Sequence, residues 1–171
     1  IIIMKKYFFI SILLMGLSLN AQSFIENSLT DWQRSKEHCL KIVEAMPSEK
    51  FTEKSSDEMR SFAEEIIHII QANYGMMSTA LGIENPNKSK LEFTSKEAII
   101  NELINCYDFV LNNLKSFDEK KLDEIITVFG KYDYSRERVI SKVYEHQAHH
   151  KSKSIVIQRY LGVTPPGYML F

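Results

Sequence analysis

Glycine and proline are scarce in this chain, at six and four of 171 residues. They fall between apolar-periodic segments, so few breakers interrupt those segments, and the spacing reads as long helices joined by loops. Cysteine is scarcer still. Cys39 and Cys106 are the two, and both sit inside apolar-periodic stretches. Two buried free thiols and a single disulfide both remain open, since a bridge needs Cα atoms within about 7 Å. An excess of basic charge is missing: 21 Lys and Arg face 22 Asp and Glu, for a formal net charge of −1. No basic stripe appears, which removes the electrostatic case for nucleic acid. There is no Gly-rich phosphate loop and no GxGxxG. Ser35, Ser154 and the two cysteines form no Ser/His/Asp or Cys/His arrangement that the sequence supports. Internal repeats, low-complexity tracts and linkers are absent as well.

A long hydrophobic run is also missing. Tyr7 to Leu19 is almost wholly apolar but too short for a comfortable membrane span. It follows the basic Met4-Lys5-Lys6 and precedes Leu19-Asn20-Ala21, the three-part layout of a secretory signal peptide. The expected signal is residues 1–21, cleaved after Ala21, with Ile1 to Ile3 upstream of the true start. An uncleaved N-terminal anchor is the alternative. No Cys follows the cleavage point, which argues against a lipoprotein anchor. Removal of Lys5 and Lys6 takes the formal charge to −3. The mature chain, residues 22–171, is then an exported protein, periplasmic or secreted, with no stable membrane span. Its length fits one domain with one core. Export makes a disulfide chemically feasible.

Four helical segments are expected. The first spans about 28–45, with Thr30 or Asp31 as cap and Pro47 as stop. Trp32, Cys39, Ile42, Val43 and Met46 form its apolar stripe. The second spans about 61–81, with Asp57 or Ser56 as an earlier start and Gly82 as stop. The third spans about 95–117, opened by a Thr94/Glu97 capping box, with Ile99, Leu103, Cys106, Val110 and Leu114 at helical spacing. The fourth spans about 135–161 and ends at Gly162. Between the last two, Ile125 to Phe129 reads as a short strand or an extended loop over one end. The fold class expected is all-α, a four-helix bundle. Homodimers are common among bundles of this size, and no residue singles one out.

What is present is histidine at a telling spacing. His146 and His150 are four apart in the fourth segment, which stacks two imidazoles on one helix face. They lie on the stripe Val139, Val143, His146, His150, Ser154, Ile157, Leu161. Such a pair is a hydrogen-bonded core pair or half of a divalent transition-metal site. His149 is a surface or rim residue on this pattern, and His38, with no partner at metal spacing, is a surface residue. His68 falls on the less apolar stripe of the second helix, beside Glu64 and Glu65, while Ile66, Ile67, Ile69 and Ile70 form the core. It is either a partly exposed helix histidine or a third ligand at a pocket mouth.

Several short motifs occur in order. They are Trp32, Ala45-Met46-Pro47, Met59-Arg60-Ser61-Phe62 leading to His68-Ile69-Ile70-Gln71-Ala72-Asn73, and His146-Gln147-Ala148-His149-His150 leading to Tyr160-Leu161-Gly162-Val163-Thr164-Pro165-Pro166. Together these resemble the DinB/YfiT-like family, over essentially all of the mature chain. The resemblance implies an up-down-down-up bundle and a divalent metal on His68, His146 and His150. Zinc, nickel, iron and manganese are the candidate ions. Family members often follow the last ligand with Arg-Gly-Gln; here Lys151-Ser152-Lys153 stands in its place. Lys151 keeps the charge but not the geometry of arginine, and the partners of the metal ligands are thereby in question.

By the same resemblance the activity is thiol-dependent. Characterised relatives are transferases using low-molecular-weight thiols and a maleylpyruvate isomerase. The expected enzyme is a metal-dependent thiol transferase acting on a small-molecule substrate not identified by the sequence. Because low-molecular-weight thiols are mainly cytosolic, an exported member fits a hydrolase using water instead. Glu64 or Glu65, about one turn before His68, is the candidate catalytic proton acceptor. The alternative for both carboxylates is a solvated surface charge. The alternatives to an enzyme are a non-catalytic metal- or ligand-binding bundle in stress response, with a closed coordination sphere and no cavity, and an interaction bundle without metal.

Overall fold

A computed structural model of the chain describes residues 23–171. The segment read as a signal peptide lies outside the described residues. Four helices make the body: α1 (Phe24–Ala45), α2 (Phe62–Leu81), α3 (Lys96–Lys115) and α4 (Arg136–Tyr160). Two short strands, β1 (Ile125–Val128) and β2 (Tyr132–Ser135), form an antiparallel hairpin between α3 and α4. Among the described residues no helix is long and apolar enough to cross a membrane.

Local chemistry sets the ends of these helices. α1 begins about one turn earlier than periodicity alone places it. Neither Thr30 nor Asp31 caps it; Ser23 does, in a capping box with Glu26. The polar Glu26 and Asn27 hide that first turn from an apolar-stripe argument, although Ile25 is buried. α2 starts after Ser61, in a second capping box closed by Glu64, so neither Ser56 nor Asp57 begins it. Such caps contribute about 1 kcal/mol each. Gly82 ends α2 at φ 69°, a left-handed conformation that glycine adopts without a Cβ penalty. α3 is capped by Ser95, whose hydroxyl accepts from the Ala98 amide; the expected Thr94 box does not form. Adjacent hydroxyl residues compete for one cap, and the backbone register decides between them. Ser135 caps α4.

The apolar stripes meet in one core. Trp32, Ile42, Val43, Ile66, Ile69, Ile70, Leu103, Val110 and Val143 are all fully or almost fully buried. Each buried side chain of this size contributes roughly 1.5–3 kcal/mol relative to exposure. Trp32 stands edge-on to Tyr107 and Tyr144. Cys39 and Cys106 are both buried and free. Burial pushes the Cys39 thiol up to about 11, so it carries no charge at neutral pH.

Topology is up-down-down-up. The closest packings are α2 on α4 and α1 on α3, with α2 beside α3. Two successive helices running the same way require the chain to return along the bundle. Residues 82–95, outside any helix or strand, do so, and at up to roughly 3.3 Å per residue they are long enough to span a helix of this length. Phe93 on this return stacks on Phe51, which meets Phe62 edge-on. The hairpin lies over one side of α4. Its turn, closed by the Lys131 N–H donating to the Val128 carbonyl at 3.1 Å, places Phe129 at φ 55° and Gly130 at φ 65°, both left-handed. For phenylalanine this conformation costs about 1–2 kcal/mol, and its ring is 75% exposed.

Candidate metal centre

The seam between α2 and α4 brings the three sequence-predicted histidines together. One ring nitrogen from each of His68, His146 and His150 lies within 4.8 Å of the others. His68 Nε2 is 3.2 Å from His146 Nε2. Two imidazole nitrogens on one tetrahedral divalent ion are roughly 3.3 Å apart, given metal–nitrogen bonds of 2.0–2.1 Å. His150 is buried, while His68 and His146 are half-buried, so the cluster sits at the edge of the core with an approach from solvent. His149 is exposed and packs its ring edge-on to His150 from the rim.

Glu65 fixes the buried ligand. It lies one turn before His68 on α2, is 2% exposed, and its Oε2 is 2.6 Å from His150 Nδ1. With Nδ1 committed to the carboxylate, Nε2 is the nitrogen left to face the cluster. This carboxylate–imidazole pairing is how metal-ligating histidines are held in tautomer and orientation. Arg60 Nη1 and Lys153 Nζ each stand 3.8 Å from Glu65 Oε1. Glu65 is therefore no solvated surface charge. Glu64 points elsewhere. It is exposed, closes the α2 capping box, and pairs with Lys54 at 3.3 Å. The hydrogen bond from the Ser61 amide, with help from Lys54, holds its carboxyl below the usual range.

The electrostatics favour neutral imidazoles. Burial, then the positive charge of Arg60 and the neighbouring histidines, pushes His68 down to about 4, with Glu65 opposing. His146 is lowered by burial, then by His150, His149 and Arg60. Metal ligation requires deprotonated nitrogens, so the lowered values suit ligands rather than charged surface histidines. His146 Nδ1 is buried without a hydrogen-bond partner among the described residues. The donor set, its spacing and the Glu65 support together fit a divalent transition metal.

Two cavities flank the cluster. One, of about 450 Å³, is walled by Met76, Val128, Phe129, Tyr132 and Tyr134 and reaches His146. The other, of about 460 Å³, is polar: Arg60, Glu64, Gln71 and Lys90 line it, and His68 opens onto it. Each cavity thus presents a different candidate ligand.

Toward α1 and α3, next to its histidine face, α4 buries a polar stripe, Gln147, Lys151, Ser154 and Gln158, of which Ser154 also belongs to the stripe that carries His146 and His150. Gln147 sits between the two α4 ligands and is fully buried. Its Oε1 accepts hydrogen bonds from Ser35 Oγ and Tyr107 OH, both at 2.8 Å. Lys151 Nζ donates to Ser35 Oγ at 2.6 Å, and burial pushes its ammonium below the usual lysine value. Gln158 Nε2 donates to the Ile42 carbonyl at 2.8 Å. The signal was legible as spacing, since these four polar residues recur every three to four positions. His38 is another correction. It is 3% exposed rather than on the surface, because residues 161–171 fold back so that Tyr168 packs edge-on to its ring.

The sequence of residues 31–152 matches the family model described as the DinB superfamily. Comparison with curated proteins gives no match. Among solved structures, a DinB-like protein from Bacillus subtilis superposes with a TM-score of 0.70 at 15% identity, over 83% of this chain and 96% of that one. A DinB-like protein from Bacillus cereus gives 0.73 at 18% identity, over 84% and 97%. A protein described as a DinB family member from Exiguobacterium sibiricum gives 0.71 at 13% identity, over 89% and 100%. At these identities the structural likeness establishes the fold alone. The family match spans most of the chain, and the chain belongs to the DinB superfamily.

Proposed function

We propose that this protein is an exported metal-dependent enzyme, a thiol transferase or a hydrolase, whose centre is His68, His146 and His150. The observation that carries the reading is the pair of dissimilar cavities meeting at one histidine cluster. A purely structural or storage site gains nothing from two approaches, whereas a two-reactant reaction needs one for each partner. A divalent ion bound there supplies the Lewis acidity that makes a thiol or a water nucleophilic at neutral pH.

The chain's own residues do the rest. Glu65 is a positioning residue: it holds His150 and balances Arg60 and Lys153. Arg60 and Lys90, which share the polar cavity's lining with Glu64 and Glu92, are cations available to an anionic portion of a reactant. Glu64 lines that cavity beside Lys54 and is the remaining candidate for a proton acceptor there. Met76, Val128, Phe129 and Tyr132 make the opposite cavity a receptor for an apolar or aromatic small molecule, and the strained Phe129 forms part of its wall. Residues 1–21, as an export signal, place the protein in the periplasm or outside the cell and favour water as the nucleophile there.

The test is metal content measured by mass spectrometry on untagged residues 22–171. Close to one zinc, nickel, iron or manganese per chain is expected, lost in His68→Ala, His146→Ala and His150→Ala. Failure to take up any of these ions would remove the reading. With metal bound, consumption of low-molecular-weight thiols separates a transferase from a hydrolase.

A further inference from the structure

A third cavity lies across α4 from the histidine cluster, between α1, α4 and the C-terminal segment. Its volume is about 160 Å³, and its polar lining includes Arg34, Ser35, His38, Tyr144, Lys151 and Tyr168. Two features single it out. Lys151 is more than nine-tenths buried, and its one hydrogen-bond partner among the described residues is a serine hydroxyl rather than a carboxylate. His38 is 3% exposed, and its Nε2 is buried without a partner among the described residues. Among the described residues no acidic side chain lines the space. Asp31 neutralises part of the Arg34 charge from outside it, at 2.7 Å, and Arg34 also donates to Tyr144 OH at 3.2 Å. A buried cation with no counter-charge is costly, and so is a buried ring nitrogen with nothing to bond. One occupant relieves both.

We propose that this cavity is a binding site for a single small oxyanion, of carboxylate or phosphate size, held between Lys151 Nζ and His38 Nε2. Lys151 has three donors and spends one on Ser35, leaving donors for the anion. His38 contributes an Nε2 donor in that tautomer, and Arg34 adds charge from the rim. The space, about 160 Å³, has room for a carboxylate or phosphate group. Tyr168 and Met169 complete the enclosure, with Lys41 Nζ reaching the Met169 sulfur at 3.6 Å. The site does not depend on metal, and the side chains that define it are distinct from those of the histidine cluster.

The probes are inorganic phosphate and acetate, titrated into metal-free full-length protein kept in chloride buffer. Thermal unfolding and the ring-nitrogen resonances of the five histidines are followed together. Phosphate, acetate or both are expected to raise the Tm saturably and to shift the His38 signal ahead of the others. Binding should weaken at least about tenfold in Lys151→Met, which loses a charge-assisted bond, and also weaken in His38→Gln. The double variant His68→Ala/His146→Ala should keep the full response. A response no larger than that to matched chloride, an unmoved His38 resonance, or loss of the effect in the double variant would overturn the proposal. Should Lys151→Met fail to fold, His38→Gln and the wild-type resonances still decide it.

Discussion

The two sides of α4 use buried polar groups in opposite ways. Facing α2, His146 and His150 converge with His68 so that three nitrogens aim at one another. Facing α1 and α3, Gln147 gathers the Ser35 and Tyr107 hydroxyls onto one amide oxygen. The first arrangement leaves lone pairs unspent at converging nitrogens. The second spends the Gln147 amide oxygen inside the protein, while its Nε2 is buried without a partner among the described residues. Unspent capacity at converging atoms points to a ligand, and spent capacity points to a device that fixes the rotation of a helix. Gln147 lies between the two ligands in sequence, so the amide network sets the rotation at which both imidazoles reach the seam.

The sharpest break of that contrast is removal of a ligand. His68→Ala, His146→Ala and His150→Ala are each expected to abolish metal retention while leaving far-UV circular dichroism intact. Next comes Glu65→Gln, which keeps the shape but loses the carboxylate that orients His150. Metal affinity should fall by roughly 10- to 100-fold, read by chelator competition, with little change in Tm. The opposite pattern is expected across the helix. Gln147→Leu removes the acceptor shared by the Ser35 and Tyr107 hydroxyls and should cost about 2 kcal/mol of stability by denaturant unfolding, with a smaller loss of metal affinity than Glu65→Gln. If Gln147→Leu cost as much metal affinity as Glu65→Gln, the two faces would be one site.

The smallest effect is in pH. His68 titrates near 6.5 when unfolded and is pushed down to about 4 in the fold. Above 6.5 both states leave it neutral. As pH falls from there toward 4, the unfolded chain takes a proton that the folded chain refuses, and stability declines. Metal-free protein should therefore lose Tm across that window, and His68→Gln should flatten the slope. Because His68 is half-exposed, the flattening should be modest. An unchanged slope would place the loss on other groups.

Much of the fold is legible in the amino-acid sequence. The apolar stripes of α1 and α3, the stops at Gly82 and Gly162, and the residues of the metal cluster all follow from helical spacing or from the family resemblance. Less legible are the caps at Ser23 and Ser95, where neighbouring polar residues compete and only the register of the chain selects one. Glu64 and Glu65 show the same limit. Adjacent carboxylates near the start of a helix look equivalent in sequence, yet they point about 100° apart. One caps α2, and the other enters the seam with α4.

The sequence by itself determined that four amphipathic helices form and that His146 and His150 share a face, because helical periodicity is a property of the local backbone. Only the tertiary structure decided that His68 meets them, that Glu65 rather than Glu64 holds His150, and that His38 and Lys151 are buried around a cavity. Those outcomes depend on the rotation of packed helices and on where residues 161–171 fold back, and both are fixed by contacts between residues about 80 or more positions apart.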